Sequence, residues 1–198
     1  MGMKQIVNFI CCHLLFRVHY HHLEYLTNTP RCVIAPNHSS IFDPFFIYPK
    51  TTNLSIMAKS ELFRHRLLGK LLTHYQVFPV NRNKRDPGSL LYAISLFTTT
   101  EKEKQLLLFT EGGVVKKEED IGKRIRNGAV YLAAEAQVPL LPVYITRRPH
   151  LFSRVDVVFG KGYLLPRDVV KNKQMIKEKS KELIDHIYEL RFNQDEQV

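Results

Sequence analysis

The sequence contains few of the residues that define several small-protein classes. It has three cysteines and no tryptophan in 198 residues, with 9 glycines and 10 prolines. Cys11, Cys12 and Cys32 do not make a disulfide framework in a chain of this length, and no C-x-x-C pair is present for a zinc ribbon. The low glycine and proline counts, together with 44% hydrophobic residues, exclude a disordered or low-complexity chain. The length suits one domain with a sizeable core.

Long hydrophobic runs are also missing. The most apolar stretch, residues 6–18, is interrupted by three polar residues, whereas a membrane-spanning helix needs about 20 apolar residues. No A-x-A-like cleavage site follows, so a secretory signal is not predicted. We predict a helix over residues 3–20, in an N-terminal segment 1–22 that either packs on the core or lies on a membrane surface. The histidines of this segment have no matching carboxylates or spaced cysteines nearby, so no metal site is predicted.

Positive charge is abundant but uneven. The formal net charge is +10, and residues 1–99 carry 11 Lys and Arg against 4 Asp and Glu. Such a basic half favours an acidic partner, which is nucleic acid, an anionic membrane or a phosphorylated substrate. Nucleic acid is not an expected partner, because no nucleic-acid-binding motif is present.

Short apolar runs alternate with helical patterns along the rest of the chain. Strands are predicted at residues 31–35, 54–58, 77–80, 105–109, 140–145 and 155–159, and helices at 61–74, from 86, from 127 and at 168–190. The pattern predicts a single α/β domain over residues 23–198, with a mixed, largely parallel sheet flanked by helices.

Three of these elements carry more detailed predictions. Ser60 is expected to cap the 61–74 helix, whose leucines 62, 67, 71 and 72 would face the core. Pro79 indicates that strand 77–80 either lies at an edge of the sheet or contains a bulge. The lysine-rich side of helix 168–190 is either solvated or faces phosphate or a membrane.

The most distinctive local pattern follows the first predicted strand. His38 and Asp43 stand five residues apart in a segment that begins at Pro36, and sites in α/β sheets collect beyond the carboxyl ends of strands. On one continuous helix the two side chains would point about 140° apart, so a turn before a new helix is needed to join them. Pro44 favours such a helix start. Asp43 then either caps this helix or accepts the Nδ1 proton of His38, which leaves Nε2 as a base.

A base of this kind takes a proton from a hydroxyl group. No G-x-S-x-G sequence provides a serine nucleophile that would complete a hydrolase triad. A base without a protein nucleophile suggests that a substrate hydroxyl attacks an activated acyl group directly.

Several segments resemble, in order, the motifs of the glycerolipid acyltransferases, the 1-acylglycerol-3-phosphate acyltransferase superfamily. Residues 37–43 resemble the first motif, N-H-x-S-x-x-D, and residues 77–82 resemble the second, a strand ending in Arg. Residues 109–112 resemble the start of the third, F-P-E-G-T-R, and residues 138–143 the fourth, V-P-x-x-P-V. The segments 58–63 (A-K-S-E-L-F) and 126–129 (R-N-G-A) are also similar to family segments. The resemblance covers about residues 31–146.

The resemblance implies a role for each matching residue. His38 would deprotonate the acceptor hydroxyl, and Asp43 would orient and stabilise the imidazolium. Arg82 would bind the acceptor phosphate through its guanidinium fork. Glu111, followed by Gly112, would position the acceptor or hold Arg82.

The third motif departs from the family pattern. Thr110, Gly113 and Val114 replace its proline, threonine and arginine, and that arginine is expected to help bind the acceptor phosphate. The acceptor therefore stays open between lysophosphatidic acid, another lysophospholipid and a different amphipathic alcohol. Lys59 would reach a phosphate or lie on the surface. Substitute cations are expected in the segment 114–124, namely Lys116, Lys117, Lys123 or Arg124.

The resemblance as a whole implies a phospholipid-biosynthetic O-acyltransferase. It would transfer a fatty acyl group from acyl-CoA or acyl carrier protein to a lysophosphatidic acid-type acceptor, with no covalent acyl-enzyme, no further cofactor and no metal. The protein would associate with an anionic membrane surface on the cytoplasmic face. The alternative is a catalytically silent module of the same fold that binds lipid or acyl carrier protein.

Overall fold

One sheet organises the molecule. The computed structural model describes residues 2–81, 86–98 and 103–192. In these residues the strands are β1 (Arg17–His21), β2 (Arg31–Pro36), β3 (Leu54–Lys59), β4 (Val77–Val80), β5 (Lys104–Leu107), β6 (Leu140–Ile145) and β7 (Arg154–Phe159). Their order across the sheet is β1-β7-β6-β2-β5-β3-β4. Every neighbouring pair is parallel except β6 with β7. The predicted mixed, largely parallel sheet is confirmed.

Helices cover both faces of this sheet. They are α1 (Met3–Val7), which continues as a π-helix over Asn8–Leu15, α2 (Leu23–Thr27), α3 (Asp43–Ile47), α4 (Arg66–His74), α5 (Pro87–Ser95), α6 (Gly128–Ala136) and α7 (Lys173–Glu189). Short 3-10 helices occupy Tyr48–Lys50, Ser60–Arg64, Glu118–Asp120, Arg167–Lys171 and Leu190–Phe192. Buried side chains of α5, α6 and α7 form one core cluster, and those of the π-helix, α2 and α3 form the other.

The central strands are apolar because both of their faces are buried. In β2, Val33 belongs to the cluster beneath α6 and α7, and Ile34 belongs to the cluster beneath α3. Leu106 and Leu107 of β5 divide between the two clusters in the same way. A strand covered on both sides needs a continuous apolar run, which is the pattern that predicted these two strands.

The N-terminal helix is shorter than the sequence predicted. It ends at Leu15, and the chain then forms β1, which pairs in parallel with β7 at one edge of the sheet. Polar and apolar residues alternate through β1, and Val18 is buried between two exposed neighbours, as expected of a strand. The helix predicted over residues 3–20 is therefore wrong beyond residue 15. The predicted division into a segment 1–22 and a domain 23–198 would also separate β1 from the sheet to which it belongs. Within the described ranges, no helix is both long and apolar enough to cross a membrane.

The helix predicted over residues 61–74 is also divided. A 3-10 helix begins at Ser60 itself, so this residue does not cap it, and α4 starts only after a break at His65. Leu62, Leu67 and Leu71 are exposed rather than in the core. The reason is their position, because the neighbouring strand β4 is the last of the sheet, as Pro79 indicated.

The C-terminal helix buries an apolar stripe against the sheet. The first turn is a separate 3-10 helix, and α7 begins after Asn172, whose side chain accepts the N–H groups of Gln174 and Met175. Val169, Ile176, Leu183, Ile187 and Leu190 are all buried. This stripe packs α7 onto the face of the sheet that also carries α6.

Candidate active site

Asn37 fixes the loop that follows β2. Its side chain is fully buried, and its Nδ2 donates to the carbonyl of Ile145 at 3.0 Å while its Oδ1 accepts the N–H of Ile145 at 2.7 Å. This pair of hydrogen bonds joins the carboxyl ends of β2 and β6. The loop between Pro36 and α3 therefore starts from a rigid point at the edge of the sheet where α/β proteins place their sites.

His38 and Asp43 meet in this loop. His38 Nδ1 lies 2.9 Å from Asp43 Oδ2, which also accepts the backbone N–H groups of Ser39 at 2.8 Å and Ser40 at 2.9 Å. The carboxylate is fully buried, and these donors replace the hydration of Oδ2, whereas Oδ1 finds no hydrogen-bond partner among the described residues. Asp43 makes no side-chain cap to α3, and Phe42 occupies the cap position. Of the two arrangements open from the sequence, the structure shows the pairing with His38.

The imidazole of His38 is held from several sides. Its ring stacks on Phe109 with the centroids 3.9 Å apart and the planes 21° apart. Its backbone N–H donates to Glu111 Oε2 at 2.9 Å, and its carbonyl accepts the N–H of Val115 at 2.7 Å. Because Asp43 accepts from Nδ1, Nε2 is the nitrogen left to act as a base. The side chain is 14% exposed, which leaves the ring a narrow opening.

Glu111 lies behind His38 and is almost fully buried. Its Oε2 accepts the His38 N–H, and its Oε1 accepts the hydroxyl of Tyr188 at 3.0 Å. Burial raises the pKa of the Glu111 carboxyl, while the hydrogen bonds from His38 and Tyr188 and the charge of Arg147 act in the opposite direction. Both oxygens therefore bind protein donors. The predicted contact with an acceptor or with Arg82 stays a prediction.

Arg147 ties the segment after Glu111 to the end of β6. Its Nη2 donates to the carbonyls of Val115 and Lys117, and its Nη1 lies 3.1 Å from Glu118 Oε1. The guanidinium also lies 6.0 Å above the ring of Tyr188. Since Val115 bonds the carbonyl of His38, Arg147 supports the main chain of His38 from one side and Glu111 supports it from the other.

Three further residues were predicted to bind substrate, namely Lys59, Arg82 and Gly112. Lys59 ends β3 and pairs with Glu61 at 3.1 Å, outside the contacts of His38. Gly112 directly follows Glu111 and has a φ of +69°, which favours glycine. Arg82 lies outside the described residues. Roles for these three in binding substrate stay predictions.

A cavity of about 240 Å³ lies against Phe109, the ring that stacks with His38. One part of its wall is apolar and consists of Met57, Val80, Leu90, Leu108, Phe109 and Leu132. The polar part is formed by Asn81, Asp86, Gly112, Arg126 and the first residues of α6. None of the four basic residues expected to replace the third-motif arginine, namely Lys116, Lys117, Lys123 and Arg124, lines this cavity.

Metal ligands are not gathered in the part of the chain that the structure describes. No three His, Cys, Asp or Glu side chains lie close enough there to hold an ion.

Sequence reasoning missed three residues that support His38. Asn37 stands in the first motif without an assigned role, and its position directly after a predicted strand was the available signal. Arg147 follows β6 just as His38 follows β2, so the sequence could have predicted its position at the carboxyl end of a strand. Tyr188 lies beside the apolar stripe of α7, and nothing in the sequence pairs it with Glu111.

The chain is similar to several known proteins. Residues 17–146 match the acyltransferase family model. An uncharacterized acyltransferase of Schizosaccharomyces pombe is 28% identical over 151 residues, which cover 76% of this chain and 54% of the relative. A 1-acyl-sn-glycerol-3-phosphate acyltransferase of Streptococcus pneumoniae is 26% identical over 166 residues, covering 79% and 58%. The chain thus spans little more than half the length of these two relatives.

A solved structure shares the fold. The 1-acyl-sn-glycerophosphate acyltransferase PlsC of Thermotoga maritima superimposes with a TM-score of 0.68 and 15% sequence identity. The match covers 98% of this chain and 79% of the other. The arrangement of one α/β sheet with its flanking helices is therefore common to both proteins.

Proposed function

The chain belongs to the acyltransferase family, and on this basis we propose that it transfers a fatty acyl group from a thioester donor to the hydroxyl of a lysophospholipid. One observation carries the proposal. His38 is bonded through Nδ1 to the buried carboxylate of Asp43, so its Nε2 is a base that no protein nucleophile accompanies in the family motif. This arrangement suits direct attack by a substrate hydroxyl.

The reaction needs one proton transfer in each direction. His38 Nε2 takes the proton from the acceptor hydroxyl while the oxygen attacks the thioester carbonyl. Asp43 stabilises the imidazolium that forms, without taking up the proton itself. The tetrahedral intermediate then expels the thiolate, and the imidazolium returns the proton to sulfur. The products are an ester and a free thiol, and His38 is neutral again.

The proposed acceptor is of the lysophosphatidic acid type. The Streptococcus pneumoniae relative and a relative from Saccharomyces cerevisiae are both named 1-acyl-sn-glycerol-3-phosphate acyltransferase. The proposed role of Arg82 is to bind the phosphate of that acceptor. In sequence it follows Asn81, which lines the cavity against Phe109.

The proposed donor is acyl-CoA or acyl carrier protein, with no other cofactor. Both donors present a fatty acyl chain, which requires an apolar binding surface. Six apolar residues line the cavity beside Phe109, and they supply such a surface within reach of the ring that supports His38.

Exposed apolar side chains near the site support a membrane-associated location. They come from three segments: Phe9, Ile10 and Leu14 on the π-helix, Ile41 and Phe45 near His38, and Leu151 and Phe152 on the turn before β7. We call this set the apolar rim.

Hydrogen bonds hold the three segments of the apolar rim together. The N–H of Phe152 donates to the carbonyl of Leu15 at 2.7 Å, and the N–H of Arg148 donates to Ser39 Oγ at 3.1 Å. The thiol of Cys12 contacts the carbonyl of Phe45 at 3.6 Å. The rim therefore adjoins the loop that carries His38, which suits an enzyme with membrane-bound substrates.

The proposed surface is anionic and faces the cytoplasm. The N-terminal half of the chain carries most of the excess positive charge, which attracts anionic lipid headgroups. Cys11, Cys12 and Cys32 are free thiols, which suits a reducing compartment.

A thiol-release assay tests the proposed activity. The purified full-length chain in mixed micelles is given a panel of acyl-CoA and acyl carrier protein donors with lysophosphatidic acid and other lysophospholipids. Thiol release that depends on an acceptor supports the proposal. If no donor and acceptor pair gives turnover, the alternative of a silent lipid- or carrier-binding module takes its place.

A further inference from the structure

The polar part of the cavity beside Phe109 contains the guanidinium of Arg126, to which the described residues offer no partner. Among the described residues, the side chain of Arg126 makes no hydrogen bond or ion pair, although its backbone N–H donates to the carbonyl of Thr110 at 2.7 Å. That backbone bond attaches Arg126 to the residue just before Glu111. A cation held beside the site with its donors unused is available to an anionic ligand.

Gly112 shows how closely Arg126 approaches the site. A Cβ atom added at Gly112 would lie 2.5 Å from Arg126 Nε and 2.7 Å from its Cγ, so the Arg126 side chain would have to move to admit it. The positive φ of Gly112 turns the main chain in the same place. The turn after Glu111 is therefore shaped to let the arginine lie against it.

The rest of the polar wall is compatible with an anion on the side of Arg126. Asn127 precedes α6 without capping it through its side chain, so the first N–H groups of the helix lack a side-chain acceptor there. Asp86 is the acidic residue of the wall, and hydrogen bonds from the Asn81 N–H, the Ser89 hydroxyl and the Ser89 N–H lower its pKa. Its charge is thus already paired with donors of its own.

We propose that Arg126 binds the phosphate group of the acceptor substrate. The inference rests on the proposed function, since it assigns this residue to the acceptor of that same reaction. Val114 stands where the third motif would have an arginine and is itself exposed, so Arg126, two residues before α6, supplies the positive charge instead. A guanidinium offers a planar pair of donors that matches two phosphate oxygens.

Kinetics of Arg126 variants provide the first test. Arg126→Gln keeps the length of the side chain and removes the charge, and it is expected to raise the KM for lysophosphatidic acid by about 10- to 100-fold, as for loss of a charge-assisted hydrogen bond. Arg126→Lys keeps the charge without the fork and should lie between this variant and the unmodified protein. Arg124→Gln is the matched control, because Arg124 and Arg126 are both exposed but only Arg126 lines the cavity. Its KM should be unchanged.

The KM for the donor is measured as well, because CoA also carries phosphate groups that Arg126 could bind. A rise in the KM for acyl-CoA alone would assign Arg126 to the donor and overturn the proposal. An acceptor KM within about twofold of the unmodified protein for Arg126→Gln would overturn it as well.

Direct binding separates this proposal from the proposed activity. Calorimetry with sn-glycerol 3-phosphate needs no turnover, and the full-length chain is expected to bind this probe at least tenfold more tightly than Arg126→Gln does. If the chain shows no acyltransferase activity but the binding difference is present, the proposed function fails and the phosphate site stands. Equal binding by the two proteins overturns the phosphate site.

Discussion

Glu111 Oε2 lies 2.9 Å from the backbone nitrogen of His38, so the third motif holds the main chain of the residue that the first motif supplies. The other oxygen of Glu111 accepts the hydroxyl of Tyr188, which extends the connection to α7. Residues that follow β2, β5 and β6 thus meet a residue of α7 behind one imidazole. The predictions below follow from this support.

Replacing Glu111 by Gln tests whether this carboxylate positions His38 or binds substrate. The amide keeps the size but cannot accept from both donors, so one buried donor loses its partner, at a cost of about 1–3 kcal/mol in stability. We expect kcat to fall about 10- to 100-fold with little change in the acceptor KM, because His38 is displaced. Steady-state kinetics and thermal unfolding measure both effects. A raised acceptor KM with normal kcat would instead show that Glu111 contacts the acceptor.

Tyr188→Phe is expected to change the pH dependence of kcat. Glu111 must be ionised to accept two hydrogen bonds, so activity should fall as the pH decreases through its pKa, which burial raises. The Tyr188 hydroxyl opposes this rise, and its removal should shift the acidic limb of the profile to higher pH. The measurement is kcat against pH for both proteins.

The control for this variant is Tyr163→Phe, since the ring of Tyr163 stacks on His186 rather than reaching Glu111. Its acidic limb should coincide with that of the unmodified protein. Identical profiles for Tyr188→Phe and the unmodified protein would show that the hydroxyl does not tune Glu111.

The raised pKa of Glu111 also predicts a trend in stability. The folded state binds this proton more tightly than the unfolded state does, so the contribution of Glu111 falls as pH rises from the ordinary carboxyl range through the raised pKa. Urea unfolding across the acidic range measures the slope, and Glu111→Gln should remove this part of it. An unchanged slope in the variant would assign the trend to other groups.

Asn37→Ala should destabilise the fold and the site together. It leaves both backbone groups of Ile145 without their buried partners, at a cost of about 1–3 kcal/mol for each. Thermal unfolding and kcat are expected to decrease in parallel. Asn172→Ala, which removes the cap of α7, should cost about 1 kcal/mol in stability and leave kcat unchanged. Equal kcat in the two variants would mean that the Asn37 bonds do not position His38.

Gly112→Ala and Gly113→Ala form a matched pair in one turn. A Cβ at Gly112 would meet Arg126 and a positive φ, whereas a Cβ at Gly113 has no atom within 4 Å. The first change is therefore expected to cost about 1–3 kcal/mol and to reduce activity, while the second should alter neither. Unfolding curves and kcat decide, and equal behaviour of the two variants would contradict the close packing of Arg126.

Membrane binding should depend on the apolar rim. Leu151→Ser and Phe152→Ser together are expected to weaken sedimentation with vesicles containing anionic lipid, because both side chains are largely exposed beside the site. Leu164→Ser is the control, since Leu164 is equally exposed but follows Tyr163, which bridges to the opposite end of β6. Equal losses for the two proteins would remove the rim as the contact surface.

The sequence predicted the elements whose burial leaves a clear residue pattern. Continuous apolar runs identified β2 and β5 because both faces of these strands are buried, and Pro79 identified the edge strand. The strand β1 was taken for a helix because it follows an apolar helix directly. Leu67 shows the converse limit, since its helical spacing predicts a core contact that the edge of the sheet does not provide.

The candidate site could be predicted where motif and chemistry agreed. His38 and Asp43 were identified from their residue types and from their position after a strand, and the structure joins them. Arg126 and Tyr188 could not be found in this way, because their roles depend on contacts between segments far apart in the chain. Only the fold brings Tyr188 to Glu111, 77 residues away.

The turnover of His38→Gln tests the central claim most directly. The variant removes the base while Glu111 and Val115 still hold the main chain at this position, so thermal unfolding should stay close to that of the unmodified protein. In the thiol-release assay with lysophosphatidic acid, we expect kcat to fall by about 10²- to 10⁴-fold, as for loss of a general base. A folded variant that retains more than about a tenth of the original kcat would contradict the assignment of His38 as the base.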